Sequence, residues 1–198
     1  MNIINAQRKD KTRVIEVLCE SFQNDPQINY ILGSDGSHDK KMKRLMAYSF
    51  EFGLANGKVE ISEDKNAVAI WKASNSKKMT VNLFYEGMLF FFAFGWSGIK
   101  RITAMEKKIA AFYPDKTIFN YLWILGTNPN EQGKGYGTAI LSKAINKFEQ
   151  DKVPLFLETS TDSNLNYYQR KRFELYHSMI VDSKTQLKTY LMRYVWKE

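Results

Sequence analysis

The chain has 198 residues, of which 44% are hydrophobic, and a net charge of +8. This length suits one globular domain covering residues 1–198, and the composition excludes a disordered chain. A single cysteine, Cys19, excludes an intrachain disulfide, and the two histidines, His38 and His177, lie far apart, so no metal-ligand motif is present. The first residues have no apolar signal region, so we expect a cytoplasmic location.

The positive charge is spread in short groups at residues 9–13, 40–44 and 170–172. A nucleic-acid-binding protein would concentrate its lysines and arginines on one element and carry a recognisable motif. Neither is seen, so we interpret these groups as solvated helix faces and expect no nucleic-acid partner.

The first half of the chain predicts a strand, two helices and a β-hairpin. The first helix has Val14, Val17 and Leu18 on one face and is broken at Asp25-Pro26. A second helical pattern ends at Gly57. The predicted strands lie at residues 2–6, 58–62 and 67–72, and the second helix at about 38–54.

Residues 83–96 form the most apolar segment of the chain. The segment is too short to span a bilayer and is interrupted by Glu86. We therefore interpret it as a buried or pocket-lining helix and expect no membrane partner. Contact with a membrane surface is the alternative.

The second half of the chain alternates helices with strands. The predicted helices lie at about 99–112, after the glycine-rich turn that follows residue 127, and at 164–172; the predicted strands lie at 119–127, 154–158, 173–181 and 187–196. This order indicates a mixed α/β sheet with helices on both sides.

The turn between the strand at 119–127 and the next helix is rich in glycine. Gly133, Gly135 and Gly137 let backbone N–H groups point inward, and the following helix directs the positive end of its dipole into the turn. The turn therefore suits a phosphate or pyrophosphate, although a turn without a ligand is the simpler alternative. Lys134 is not followed by Ser or Thr, as a P-loop requires, and the glycine spacing differs from the dinucleotide fingerprint.

The remaining pattern, Gln132-x-x-Gly135-x-Gly137, resembles the acyl-coenzyme A loop of the GCN5-related N-acetyltransferase (GNAT) superfamily. Three further segments resemble its puromycin N-acetyltransferase-like branch: Ser-Phe-Gln-Asn-Asp-Pro at 21–26, Ala-Val-Ala-Ile-Trp at 67–71, and Leu-Phe-Leu-Glu-Thr-Ser at 155–160 followed by Asn164, Tyr168 and Phe173. The chain departs from that branch at Arg172, where glycine is usual. Arginine there must end the helix in another way or adopt the left-handed conformation.

The resemblance implies a GNAT-like fold, in which a mixed, largely antiparallel central sheet is splayed at strands 4 and 5 and has helices on both faces. It implies acetyl-coenzyme A as acyl donor and no metal. Residues expected to bind this cofactor are Leu125 and Thr127 on the strand, Gln132, Gly133, Lys134, Gly135, Tyr136, Gly137 and Thr138 in and after the loop, and Asn164. Lys134 is alternatively solvated, and Thr138 or Asn164 alternatively caps its helix.

For catalysis the resemblance implies that Tyr168 donates a proton to the leaving thiolate, with its neighbour Tyr167 as competitor. Glu158 is the candidate general base. The predicted activity is transfer of an acetyl group from acetyl-coenzyme A to a primary amine of a small molecule, by direct attack in a ternary complex. Protein N-terminal or lysine acetylation and a non-catalytic acyl-coenzyme A sensor are the alternatives, and either a monomer or a homodimer is expected.

Overall fold

The computed structural model describes residues 1–34, 36–114 and 118–196, which form seven strands and six α-helices. The strands are β1 (Ile3–Asn5), β2 (Gly57–Ser62), β3 (Ala67–Ala73), β4 (Asn120–Thr127), β5 (Leu155–Thr159), β6 (Phe173–Asp182) and β7 (Leu187–Tyr194). The helices are α1 (Lys11–Ser21), α2 (Pro26–Leu32), α3 (His38–Asn56), α4 (Val81–Ala110), α5 (Tyr136–Asp151) and α6 (Asp162–Gln169).

The strands form one sheet in the order β1-β2-β3-β4-β5-β7-β6. The β4–β5 pair is parallel and the other five pairs are antiparallel. Side chains of β3 alternate between two cores: Val68 and Ile70 pack with α1 and α3, whereas Ala69 and Trp71 pack with α5. Helices therefore cover both faces, and the predicted GNAT-like fold is confirmed.

β4 and β5 separate after a short paired stretch. Asn120–Leu122 pairs with Leu155–Leu157, and beyond this point β4 continues to Thr127 alongside β3 alone. Glu158 and Thr159 pair with β7 instead. The predicted splay of strands 4 and 5 is thus present, and it leaves an open wedge between them.

Helix α2 is absent from the predicted elements, because Asp25-Pro26 was interpreted only as a helix break. Asp25 accepts a hydrogen bond from the Ile28 N–H at 2.9 Å and so caps the N-terminus of α2. Pro26 occupies the first turn, where its missing N–H costs nothing. The dipeptide ends one helix and begins the next.

Helix α4 contains both helices that were predicted between β3 and β4. It is kinked at Gly95, whose φ of 61° and ψ of −179° lie in a region open essentially to glycine. Within the described residues, no helix is long and apolar enough to cross a membrane.

Arg172 adopts the left-handed conformation, with φ of 69°. Its N–H donates to the Gln169 carbonyl at 3.0 Å, and its guanidinium lies 5.5 Å from the centroid of the Tyr194 ring. The chain therefore keeps the backbone geometry of a helix-terminating glycine at this position, with a ring contact beside it.

Candidate active site

A cavity of about 750 Å³ lies where β4 and β5 separate. Its walls come from β3, β4, the end of β5, α6, and the helices α2, α3 and α4 on the opposite side of the sheet. Many of the lining side chains are aromatic, among them Phe22, Tyr48, Phe52, Phe90, Tyr113 and Trp123. The cavity suits an apolar or aromatic small molecule.

Glu158 projects from β5 into this cavity and accepts three hydrogen bonds. Tyr121 donates a short bond and Tyr113 a bond of 3.4 Å to Oε1, and the Gln27 amide donates to Oε2 at 3.3 Å. Burial raises the pKa of Glu158, although these donors and the charge of Lys72 oppose the rise. The carboxyl group is therefore both oriented and a stronger proton acceptor than an exposed glutamate.

Lys72 lies in the same cavity and was not among the residues singled out from the sequence. Its Nζ is 3.1 Å from the centroid of the Trp123 ring and 5.1 Å from that of Phe52. Burial lowers the pKa of Lys72 to about 8, against the pull of the Glu106 and Glu158 carboxylates. The sequence could have indicated this position. Side chains alternate between the two faces of a strand, so Lys72 lies on the same face of β3 as the buried Val68 and Ile70.

Tyr168 and Tyr167 point in different directions from α6. Tyr168 lines the cavity, and within the described residues no protein group hydrogen-bonds its hydroxyl. Tyr167 instead packs at the first turn of α5, where its hydroxyl lies 2.9 Å from the position that a Cβ on Gly137 would take. Burial raises the pKa of Tyr168, so its phenol stays protonated at neutral pH.

The glycine-rich loop joins β4 to α5. Gly133 and Gly135 have φ of 80° and 89°, and no atom lies within 4 Å of the position that a Cβ on either would take. The space above the loop is therefore open, and the N-terminus of the 16-residue helix α5 faces it. Gly137 is in the first turn of α5, where it gives Tyr167 room.

Four other residues predicted to bind the cofactor lie on β4 or in the loop that follows it. Leu125 lines the cavity, and the N–H of Thr127 donates to the Ser21 hydroxyl at 3.2 Å. The Gln132 amide approaches the Thr127 carbonyl at 3.5 Å, and Lys134 forms an exposed salt bridge of 2.9 Å with Glu131.

Three residues near the two helix starts differ in their surroundings. Tyr136 is buried and its hydroxyl donates to Asp64, so this ring supports the loop from below. Thr138 is partly buried in the first turn of α5. Asn164 lines the cavity, whereas the Thr161 hydroxyl caps α6 by accepting from the Asn164 N–H at 3.3 Å. Helix capping thus belongs to Thr161, which leaves the Asn164 side chain directed to the cavity.

The apolar segment at residues 83–96 contributes one of its faces to this site. Gly87, Phe90 and Phe91 line the cavity, whereas Phe84, Phe92 and several neighbours are exposed to solvent. In the part of the chain that the structure describes, no group of three or more His, Cys, Asp or Glu side chains is arranged to hold a metal ion.

Comparison with known proteins finds one family model that matches part of the chain. The acetyltransferase (GNAT) family model matches residues 93–173, a range that contains β4, the glycine loop, β5 and α6. Over this range the chain is similar to the GNAT acetyltransferase family, and the splayed sheet agrees with that fold.

Solved structures share the fold over nearly the whole chain. One described as histone acetyltransferase HPA2 and related acetyltransferase, from Corynebacterium glutamicum, has a TM-score of 0.71 and 19% identity over 100% of this chain and 97% of its own. The C-terminal condensation domain of Ebony in complex with β-alanyl-dopamine has a TM-score of 0.65 and 10% identity, covering 97% of both chains. Arylalkylamine N-acetyltransferase 2 from Aedes aegypti has a TM-score of 0.62 and 15% identity, covering 99% of both. At these identities the likeness shows the fold alone.

Proposed function

We propose that this protein is an acetyl-coenzyme A-dependent N-acetyltransferase that acts on a primary amine of a small molecule. The observation that carries the proposal is the continuous cavity through the β4–β5 wedge, which has an oriented carboxyl group, Glu158, and a phenol, Tyr168, on its wall. These are the two proton-transfer groups that acyl transfer from a thioester to an amine needs.

The loop and the free edge of β4 fit the coenzyme. The positive φ of Gly133 and Gly135 and the open space above them leave room for a pyrophosphate beside the N-terminus of α5. Beyond Leu122, β4 lacks a β5 partner, so an extended pantetheine arm has room to lie along this edge, where the Thr127 N–H is held by the Ser21 hydroxyl. When bound, acetyl-coenzyme A would supply the activated acyl carbonyl.

Glu158 and Tyr168 would move protons at opposite ends of the reaction. As the new C–N bond forms, the amine N–H becomes acidic, and Glu158 takes that proton directly or through a water molecule. Tyr168 gives its phenolic proton to the sulfur as the C–S bond breaks. Burial supports both roles, because it raises the pKa of Glu158 toward that of a useful base and keeps Tyr168 protonated.

Direct transfer in a ternary complex is supported by the position of the single cysteine. Cys19 lies on α1 and does not line the cavity, and burial raises the pKa of its thiol to about 11. A thiol with this pKa is a poor nucleophile at neutral pH, so a covalent acyl-cysteine route is disfavoured. The test is initial-velocity kinetics with both acetyl-coenzyme A and the amine varied. The lines of the double-reciprocal plot should intersect, and parallel lines would argue for a covalent route.

The shape of the cavity favours a small aromatic or apolar amine over a protein side chain. Helices α3 and α4 close the acceptor side with Tyr48, Phe52 and Phe90, whereas a protein substrate needs an open groove. One of the similar structures is an arylalkylamine N-acetyltransferase and another is a complex with β-alanyl-dopamine. Both agree with this acceptor class. We also propose that the protein belongs to the puromycin N-acetyltransferase-like branch. The three segments that resemble this branch contain Asp25, Trp71 and Glu158, and Trp71 is followed by Lys72.

The test is a screen of amines, including arylalkylamines, puromycin and N-terminal peptides, in which thiol release from acetyl-coenzyme A is measured. We expect turnover with small amines and none with peptides. The variant Gly135→Asp places a side chain and a negative charge in the open space of the loop, so calorimetry should show coenzyme affinity falling by at least about tenfold. Binding of coenzyme without turnover of any amine would favour the non-catalytic sensor, and unchanged affinity in the folded variant would exclude the loop as the pyrophosphate site.

A further inference from the structure

The first half of α4 exposes a continuous apolar stripe. Of the 14 exposed large hydrophobic side chains in the described residues, eight lie between positions 79 and 96: Met79, Val81, Phe84, Tyr85, Met88, Phe91, Phe92 and Trp96. Phe92 and Trp96 are each 75% exposed. Spacings of three and four residues place those from Val81 to Phe92 on one face of the helix. Met79 lies just before the helix, and Trp96 follows the kink at Gly95 with its ring centroid 6.1 Å from that of Phe91. We call these eight side chains the α4 stripe.

The opposite face of the same helix is already buried. Leu83, Phe90 and Phe94 pack into the protein, so the stripe is additional apolar surface that the fold of a single chain leaves uncovered. A helix that is apolar on nearly all sides is ordinarily buried on all sides. The stripe therefore calls for a partner.

The acidic residue within the segment does not interrupt the stripe. Glu86 points inward, is buried, and its Oε1 lies 2.8 Å from the Lys11 ammonium, with Arg44 at 3.8 Å from Oε2. The expectation that this segment has no membrane partner relied on its short length and on Glu86 as an interruption. Because its charge lies on the other face, the exposed surface carries no charged side chain between positions 79 and 96.

Lysines flank both ends of the stripe. Lys77 and Lys78 precede it, Lys100 follows it, and all three are exposed. Between positions 77 and 105 the sequence contains one acidic residue, the inward-facing Glu86. An apolar face rich in aromatic rings and bounded by cations matches the interface of a bilayer that carries anionic lipids.

A second copy of the chain fits this surface less well. Antiparallel pairing of two stripes would bring Lys77 and Lys78 against Lys100 of the copy, and parallel pairing would bring each lysine against itself. Like charges at both ends of such an interface repel in either orientation.

We propose that the α4 stripe is a membrane-docking surface, which lies in the headgroup region of an anionic bilayer while the lysines contact lipid phosphates. The helix does not span the bilayer. Docking brings the cavity-lining helix onto the lipid surface, so the acceptor site would lie next to the membrane.

The experiment is co-sedimentation of the full chain with vesicles of phosphatidylcholine, with and without phosphatidylglycerol, at low and high salt. We expect at least about tenfold tighter binding to the anionic vesicles and weakening at high salt, because exposed charges are screened. Equal binding to both vesicle types, or binding to neither, would overturn the proposal.

Matched variants separate the stripe from the general positive charge. The stripe variant is Phe84→Ser/Phe92→Ser/Trp96→Ser, and its control removes exposed apolar side chains elsewhere, Ile118→Ser/Ile180→Ser. The charge variant is Lys77→Ser/Lys78→Ser/Lys100→Ser, and its control replaces three exposed lysines elsewhere, Lys9→Ser/Lys147→Ser/Lys184→Ser.

We expect both α4 variants to lose at least about tenfold in vesicle affinity and both controls to keep wild-type affinity, with circular dichroism showing that all four fold. Full binding by the stripe variant would refute the proposal. A dimer in light scattering that the stripe variant converts to a monomer, without vesicle binding by the wild type, would assign the surface to a second copy instead.

Discussion

Replacement of Lys72 by methionine should stabilise the protein at neutral pH. The methionine side chain has a length similar to that of lysine and keeps an apolar contact with the Trp123 ring. The substitution removes a buried ammonium group. A fall in pKa from the ordinary 10.5 to about 8 corresponds to roughly 3.4 kcal/mol of destabilisation of the protonated form in the folded state, at about 1.36 kcal/mol per pKa unit. The lost cation–π contact offsets roughly 1–2 kcal/mol of this. The net gain for Lys72→Met should be about 1.5–2.5 kcal/mol at pH 7.

The sign of the pH dependence follows from the lowered pKa. Below about pH 8 the folded and unfolded chains both hold the proton on Lys72, and the folded state carries the full penalty. Between about 8 and 10.5 the folded chain releases the proton while the unfolded chain keeps it, so wild-type stability rises relative to the variant. Above that range the penalty is gone.

Urea unfolding followed by circular dichroism at several pH values between neutral and alkaline measures both effects. The gain in unfolding free energy of Lys72→Met over wild type should be largest at neutral pH and shrink as the pH approaches 10.5. The control Lys147→Met, at an exposed position on α5, should match wild type throughout. A Lys72→Met protein that is less stable than wild type at pH 7, or a gap that does not narrow, would refute the assignment of Lys72 as a desolvated cation.

Three further predictions address the reaction and the sheet. Tyr168→Phe should lower kcat by about 10²-fold or more with little change in coenzyme affinity, because only the proton donor is lost. The control Tyr167→Phe should keep a kcat near that of wild type. Steady-state kinetics in which Tyr167→Phe has the larger defect would identify Tyr167 as the acid. Lys72→Met should move the acid limb of the pH–rate profile to higher pH, because the ammonium charge lowers the pKa of Glu158, and an unmoved limb would count against Glu158 as the base. Gly126→Ala should lower the free energy of unfolding by about 1–3 kcal/mol, because its methyl group would lie 2.9 Å from a side-chain atom of α1, and a chemical denaturation curve equal to that of wild type would contradict this.

Features with a local cause were predictable from the sequence. The hairpin of β2 and β3, the central strand β4 and the glycine loop depend on alternating apolar residues and on glycines within a few positions of one another. The left-handed conformation at Arg172 was one of two alternatives, and its cause is also local, because the chain must leave α6 there. Helix α2 was missed although its signal is local, since Asp25-Pro26 both stops one helix and starts another.

Features with a non-local cause were not predictable. The hydrogen bonds of Glu158 join residues from β4, α2 and the segment after α4, and the position of Lys72 above Trp123 depends on two neighbouring strands. The direction of Glu86 was also not predictable, because the helix period indicates which residues share a face but not which face meets the core.

The sequence by itself predicted the seven strands, most of the helices, a glycine-rich loop suited to an anion and the resemblance to acetyltransferases. Only the tertiary structure decided which of Tyr167 and Tyr168 meets the cavity, how far Glu158 is desolvated, and which side of α4 remains uncovered. The physical reason is that backbone conformation and periodicity are set by neighbouring residues, whereas burial, pKa and exposure are set by residues that come together only when distant segments pack.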